Sequence, residues 1–132
     1  MEPRISIITL GTSDLAKSTK FYTDLGFTPQ PGNTQISFFE LHGTWLALFP
    51  NGKLAEDAKV SPTENGFKGF TLAHNVKSKA EVDQIMQLAQ EIGAKITDPA
   101  HDRTWGGYSG YFADPDGNLW EIAWNPYFKL ND

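Results

Sequence analysis

The 132-residue sequence contains no cysteine, only two methionines and only three histidines. Without cysteine, neither disulfide bridges nor thiolate metal sites can form. Basic residues are also few, since eleven Lys and Arg stand against sixteen Asp and Glu and leave a formal net charge of −5. An acidic domain without a basic stripe is poorly suited to binding nucleic acid. We therefore expect no nucleic-acid partner.

Long apolar runs are missing as well. The apolar stretch within the first ten residues is too short to span a membrane and lacks the layout of a signal peptide. No membrane association is expected, and the default expectation is a cytoplasmic location.

Aromatic side chains, by contrast, are abundant. They make up 13% of the chain and include four Trp and nine Phe. A chain of this length can bury a sizeable core as one domain. The aromatic content is high enough to line both that core and a ligand pocket.

The clearest local pattern is a hairpin near the C-terminus. Two strands are predicted at Tyr108–Ala113 and Leu119–Trp124, and the sequence between them is DPDGN. Pro115 presets φ, Gly117 accepts a positive φ, and Asp116 can bond to its own backbone. These residues predict a tight turn.

Strand alternation in the second of these strands singles out Glu121. Trp120 and Ile122 share one face, which a helix is expected to cover, while Glu121 points to the opposite face. A carboxylate on a concave sheet face can be a metal ligand, a general base or a hydrogen-bond anchor. It can equally be a solvated or ion-paired strand residue.

Two helices are predicted from their end signals. The first follows an N-terminal strand, with Thr12 or Ser13 as its N-cap and Gly26 just after its end. The second has Ser78 and Glu81 as a capping box and Gly93 as its stop. Five further strands complete the order, predicted at residues 4–10, 35–41, 44–49, 67–74 and 94–98. Residues 50–66 are expected to form a loop that includes one short helical turn.

The resulting order is a strand, a helix and two or three strands, the third depending on an extended segment at residues 27–31, followed by a strand, a helix and three strands. We interpret this order as a βαβββ unit that occurs twice, with a period of about half the chain. The predicted fold class is α+β. Two βαβββ modules form a curved mixed sheet with a concave cleft and helices on the outer face. The modules are placed at about residues 1–60 and 66–126 of a single domain, 1–132.

This pattern resembles the vicinal oxygen chelate superfamily, which includes glyoxalases, extradiol dioxygenases and bleomycin-resistance proteins. The resemblance is carried by GTSDL at residues 11–15, KFY at 20–22, LGF at 25–27 and DPDGNLWEI at 114–122. The scaffold hosts many reactions, so the resemblance is specific for fold and weak for chemistry.

The resemblance also implies where a divalent metal would be held. The last carboxylate ligand falls on Glu121, but the other positions fall near Ile7, near Leu46 or Leu48, and near Phe70. A catalytic metal needs about three protein ligands, so no metal and no cofactor are expected. His42 and His101 are interpreted as surface residues, and a His74–Glu121 pair is the arrangement to check. A nonstandard metal site from His42, His74 or His101 is left open.

Without a metal site, the predicted cleft is lined mainly by aromatic side chains, although each of them can also be an ordinary residue of the hydrophobic core. Trp105 is the exception, since the two glycines after it let the backbone approach a ligand or partner. The predicted substrate-binding residues are Phe38 (or Phe39), Trp45, Phe70, His74, His101, Trp105, Tyr108 and Tyr111.

Three functions compete. The first is a metal-free protein that binds a small organic molecule, aromatic or cationic, and forms a homodimer. The second is a lyase or isomerase of the glyoxalase type with Glu121 as general base, helped by His74, His101 or Tyr108. The third is a protein-interaction module.

Overall fold

A computed structural model describes residues 1–62, 66–128 and 130. The chain forms two compact units, Met1–Asn65 and Gly66–Asp132. Within the described residues both units combine strands with helices, so the predicted α+β class is confirmed. No helix in the described part of the chain is both long and apolar enough to cross a membrane.

The first unit is a three-stranded sheet with two helices. Its elements are β1 (Ile7–Thr12), α1 (Leu15–Leu25), β2 (Ser37–Glu40), β3 (Trp45–Pro50) and α2 (Asn51–Ala58). The strand order is β1-β3-β2, with β1 parallel and β2 antiparallel to β3. The hairpin that joins β2 to β3 contains Gly43, whose positive φ of 96° suits glycine.

One face of this sheet is covered by α1. Tyr22 of α1 is fully buried, and its ring lies 6.2 Å from that of Phe39 in β2. Phe39 is in register with Leu46, so Leu46 points to the same helix-covered face. Asp14 caps α1 by accepting a hydrogen bond from the Lys17 amide at 3.1 Å. The prediction of Thr12 or Ser13 as the cap is therefore wrong.

The second unit is a four-stranded sheet with one long helix. Its elements are β4 (Leu72–Val76), α3 (Lys79–Glu91), β5 (Lys95–Asp102), β6 (Tyr108–Ala113) and β7 (Leu119–Trp124). The strand order is β4-β7-β6-β5, and β4 runs parallel to β7. Both strands of the predicted C-terminal hairpin have the expected bounds.

Helix α3 packs on the face of this sheet that carries Trp120 and Ile122. Val82 and Met86 of α3 are buried, and the ring of Trp120 stacks on that of Phe112 at 6.4 Å. Gly110 lies directly beneath the helix, because a Cβ at this position would come within 2.8 Å of the Met86 Cε. The predicted helix cover of the Trp120 face is thus confirmed.

Two connecting segments differ from the prediction. Residues 51–58 form the two-turn helix α2 instead of one short turn, and Ala55 is a buried residue of this helix. The strand predicted at 67–74 begins only at Leu72, since Gly66 and Gly69 both adopt positive φ values that interrupt an extended strand. Residues 63–65 of the predicted loop, and 129 and 131–132 of the tail, lie outside the described residues.

The turn between β6 and β7 is held by Asp114, which is 4% exposed. Its Oδ1 accepts hydrogen bonds from the amides of Asp116 at 2.9 Å and Asn118 at 2.8 Å. Its Oδ2 accepts a third from the Asn118 side chain at 2.9 Å. The Asn118 Oδ1 in turn accepts a hydrogen bond from Lys68 Nζ at 3.0 Å. One carboxylate therefore satisfies the buried donors of the turn.

Replacing Asp114 by Ala leaves those donors unsatisfied. We expect the free energy of unfolding to fall by about 2–4 kcal/mol, since each hydrogen bond to a charged acceptor contributes roughly 1.5–3 kcal/mol and the losses overlap. Urea denaturation measures this change. The matched control is Asp57→Ala on the exposed surface of α2, where a change within about 0.5 kcal/mol is expected. Equal effects of the two substitutions would contradict the assigned role of Asp114.

Candidate functional site

Glu121 lies at the centre of the face of the second sheet that α3 does not cover, termed here the Glu121 face. In register beside it are Ala73 of β4 and Tyr111 of β6. Side chains in register share a face, so Tyr111 points the same way as Glu121. Both side chains are half-buried. Among the described residues Glu121 forms no ion pair, so its carboxylate remains available to a ligand.

Tyr111 and Glu121 are in register on adjacent strands, so their side chains are neighbours on this face. Burial raises the pKa of Tyr111 above its usual value, and the negative charge of Glu121 and hydrogen bonding to it raise the pKa further. The positive charge of Arg103 acts in the opposite direction, but its effect on the pKa is smaller than that of burial and smaller than that of the Glu121 charge. Tyr111 therefore keeps its proton at neutral pH and can act as a hydrogen-bond donor.

Arg103 lies on the same face and is held by three hydrogen bonds. Its Nε donates to the Ser109 Oγ at 2.7 Å, and its Nη2 donates to the Ser109 carbonyl at 3.0 Å and to Asp98 Oδ2 at 3.0 Å. The guanidinium carbon lies 5.7 Å from the centre of the Tyr111 ring, within the range of a cation–π contact. The side chain is only 18% exposed. These contacts fix the orientation of the guanidinium.

Asp98 links Arg103 to His101. The His101 Nε2 lies 3.2 Å from Asp98 Oδ2, and its Nδ1 lies 2.9 Å from the Asp102 carbonyl. Hydrogen bonding to His101 is the main cause that lowers the pKa of Asp98, with a further contribution from Arg103. The Glu121 face thus carries two carboxylates, one guanidinium and one imidazole within a single network around Tyr111.

The structure separates two predicted site residues from Glu121. Tyr108 is in register with Trp124 and points to the α3 side, where its hydroxyl donates to Asp83 at 2.6 Å. It therefore does not line the Glu121 face. His74 is in register with Ile122, so the predicted His74–Glu121 pair is also wrong. Neighbouring positions along a strand point to opposite faces, and Ala73 occupies the place beside Glu121.

The glycines after Trp105 are covered by the chain itself. The Trp105 ring, which is 44% exposed, lies over Gly107, and the Tyr127 hydroxyl would be 3.1 Å from a Cβ at position 106. These rings occupy the space in which the prediction placed a ligand or partner. Phe70 is 42% exposed and precedes β4 instead of lying within a strand.

In the first unit the face opposite α1 brings two predicted residues together. Phe38 is in register with Ala47, and its ring meets that of Trp45 edge to face at 6.1 Å. Phe39, the alternative to Phe38, points to the α1 side and belongs to the core. Phe38 and Trp45 are both half-buried, so this aromatic pair keeps exposed ring area that can contact a flat apolar molecule.

The residues present do not fit a divalent metal at the positions implied by the resemblance. Ile7 and Leu46 have no donor atoms, and Leu46 also points to the α1 side. Among the described residues no group of three His, Asp or Glu is arranged to hold an ion. His42 lies exposed in the hairpin between β2 and β3.

Each of the two α+β units packs a helix against its sheet, α1 in the first unit and α3 in the second. A family model described as the glyoxalase/bleomycin resistance protein/dioxygenase superfamily matches residues 4–122. The chain belongs to this superfamily, as its motifs predicted.

Comparison with solved structures agrees with this family assignment. A glyoxalase-related enzyme from Fulvimarina pelagi is 37% identical, with a TM-score of 0.90 over 98% of this chain and 93% of that one. A glyoxalase/bleomycin resistance protein/dioxygenase from Nocardioides is 27% identical, with a TM-score of 0.78 over 100% of this chain and 89% of that one. A lactoylglutathione lyase from Agrobacterium tumefaciens is 24% identical, with a TM-score of 0.74 over 99% and 100%. The last of these shows the fold alone.

The sequence analysis missed Arg103, Asp98 and Ser109. Strand β5 is irregular, with register shifts on both sides of Asp98, so alternation cannot be counted along it. One feature of the sequence could have pointed to Arg103 as a site residue. It is one of only two arginines in the chain and lies two residues after His101, which was itself a predicted site residue.

The pKa of Tyr111 provides a direct test of the Glu121 contact. In Glu121→Gln the negative charge is lost, so we expect the pKa of Tyr111 to fall. Asp83→Asn is the matched control, because it should lower the pKa of Tyr108, whose main cause of elevation is the hydrogen bond to Asp83. Tyrosine-selective isotope labelling and an alkaline NMR titration follow both groups. A Tyr111 pKa that moves in Asp83→Asn but not in Glu121→Gln would refute the assignment.

The lowered pKa of Asp98 makes stability depend on pH. Because the folded pKa lies below the unfolded value of about 3.9, this contribution is present above pH ~4 and is lost as pH falls through the folded pKa. We expect Asp98→Asn to lose less stability than the wild type between neutral and acidic pH. Denaturant unfolding at both pH values measures the difference, with Asp57→Asn as control. Parallel losses in wild type and Asp98→Asn would argue against the network.

Proposed function

We propose that this chain is a metal-independent member of its superfamily that binds a small planar organic molecule on the Glu121 face. The observation that carries the proposal is the half-buried Glu121 carboxylate, which forms no ion pair among the described residues and adjoins the proton-bearing Tyr111 hydroxyl. A partly buried carboxylate is costly to maintain unless its oxygens accept hydrogen bonds, and a single hydroxyl leaves most of its acceptor sites unfilled. A ligand that donates a hydrogen bond to Glu121 offsets this cost.

One further feature supports a planar ligand. The Tyr111 ring and the flat guanidinium of Arg103 lie together on the Glu121 face, 5.7 Å apart. Metal independence is supported by the donor set, because no group of three His, Asp or Glu among the described residues could hold an ion. Binding sites of this kind use apolar walls for affinity and a few polar groups for orientation.

A second candidate is a lyase or isomerase in which Glu121 removes a proton from the substrate. The Tyr111–Glu121 contact favours it, because a carboxylate base and a protonated phenol side by side can take up and return a proton. The Fulvimarina pelagi relative is a glyoxalase-related enzyme. In this candidate Tyr111 stabilises the negative charge that develops on the substrate oxygen. The homodimer and the cytoplasmic location stay predictions.

Ligand-dependent stabilisation tests the proposed function. Wild-type protein is screened by thermal shift against planar amides, aromatic cations and α-keto aldehyde adducts, and a bound ligand at about 100 times its Kd adds roughly 2.7 kcal/mol. We expect Glu121→Gln to lose most of this stabilisation. Glu91→Gln, at the exposed end of α3, serves as the matched control and should retain it. Product formation from an α-keto aldehyde adduct that is abolished in Glu121→Gln would favour the lyase instead.

A further inference from the structure

The guanidinium of Arg103 has a free edge that points to a specific ligand chemistry. Arginine carries five N–H donors. Nε and Nη2 are engaged by Ser109 and Asp98. Among the described residues no acceptor is bonded to Nη1, whose two N–H groups are therefore left to an external partner.

This free edge is already oriented. Three hydrogen bonds and the contact with the Tyr111 ring hold the guanidinium in one position, and the side chain is mostly buried. A flexible arginine loses side-chain entropy when it binds a ligand, and this loss weakens binding. Arg103 has lost this freedom on folding, so a hydrogen bond to its Nη1 carries little further ordering cost.

The charges around Tyr111 determine which ligand suits that edge. Arg103 contributes one positive charge, while Asp98 and Glu121 contribute two negative charges. An anion bound at Nη1 is repelled by Glu121 and Asp98, and a cation bound at Glu121 is repelled by Arg103. An uncharged group that accepts from Nη1 and donates to Glu121 satisfies both residues without either repulsion.

We propose that Arg103 and Glu121 together select an uncharged planar ligand that carries a carbonyl oxygen beside an N–H or O–H donor, as in a primary amide or a lactam. The carbonyl oxygen accepts from Arg103 Nη1, the donor bonds to Glu121, and the planar body lies against the ring of Tyr111. Arg103 is thus a specificity-determining residue. This inference rests on the proposed function, because it names the ligand class for the same site.

Three probes of nearly the same shape test the inference: benzamide, benzoate and benzamidine. Benzamide is neutral with both an acceptor and a donor, benzoate is an anion with acceptors only, and benzamidine is a cation with donors only. The chain has only two arginines, Arg4 and Arg103. Arginine-selective isotope labelling therefore gives two side-chain NMR signals, and that of the exposed Arg4 is an internal control. We expect benzamide to bind at least about 5-fold more tightly than either ion and to shift only the Arg103 signal.

Arg103→Gln separates recognition from structural support. With the positive charge removed, Asp98 and Glu121 dominate the site, so the preference should change from benzamide to benzamidine. A purely structural role of Arg103 would weaken all three probes alike. Arg4→Gln is the matched control and should keep the wild-type preference. If Arg103→Gln does not fold, Ser109→Ala takes its place. It loosens the guanidinium without removing its charge and should reduce the preference for benzamide.

The outcomes distinguish this inference from the function on which it rests. Tighter binding of benzoate or benzamidine by the wild type, or an Arg103 signal unmoved by benzamide, overturns the ligand class but leaves a small-molecule site. If none of the three probes shifts any signal of the Glu121 face, the proposed function fails together with the inference.

Discussion

The packing of α3 on one face of the second sheet is the constraint from which the candidate site follows. Met86 of the helix lies over Gly110, and Trp120 and Ile122 are buried on the same side. Because strand side chains alternate, burying these two residues obliges Glu121 to point the other way. A shift of one residue in β7 would place a carboxylate under the helix and two large apolar groups in solvent. The hydrophobic free energy of the core therefore determines where the carboxylate of the site lies.

Much of this arrangement could be predicted from the sequence, because the turn residues, the helix caps and the alternation of apolar residues all indicate the same local structure. The turn between β6 and β7 has Pro115 and Gly117 at the positions that the backbone requires, and both flanking strands have the expected bounds. Ser78 caps α3 as its spacing to Glu81 indicated. Glu121 was identified by alternation alone. In these places one short segment contains all the information that its structure needs, so an isolated sequence is sufficient.

The remaining errors arise where position depends on pairing between distant segments. Tyr108 and Tyr111 are three residues apart and so point to opposite faces, which alternation already implied. The face to which His74 points depends on the register of β4 against β7, and that register is set by packing across the sheet and not by the sequence of β4 itself. The positions of Arg103 and Asp98 likewise depend on the irregularities of β5, which strand alternation does not predict. Each error concerns a long-range contact, and the polar network around Tyr111 is built mainly from such contacts.

The pairing of β4 with β7 has a consequence for the order in which the chain acquires structure during synthesis. In the first unit the parallel pair joins Ile7 to Trp45, so all its strands exist once residue 50 has been made. In the second unit β4 pairs with β7, and this pairing is possible only after Trp120 has been made. Closing so long a segment slows folding. A chain that ends after β6 would therefore contain every strand of the first sheet but would lack the strand that pairs with β4 in the second.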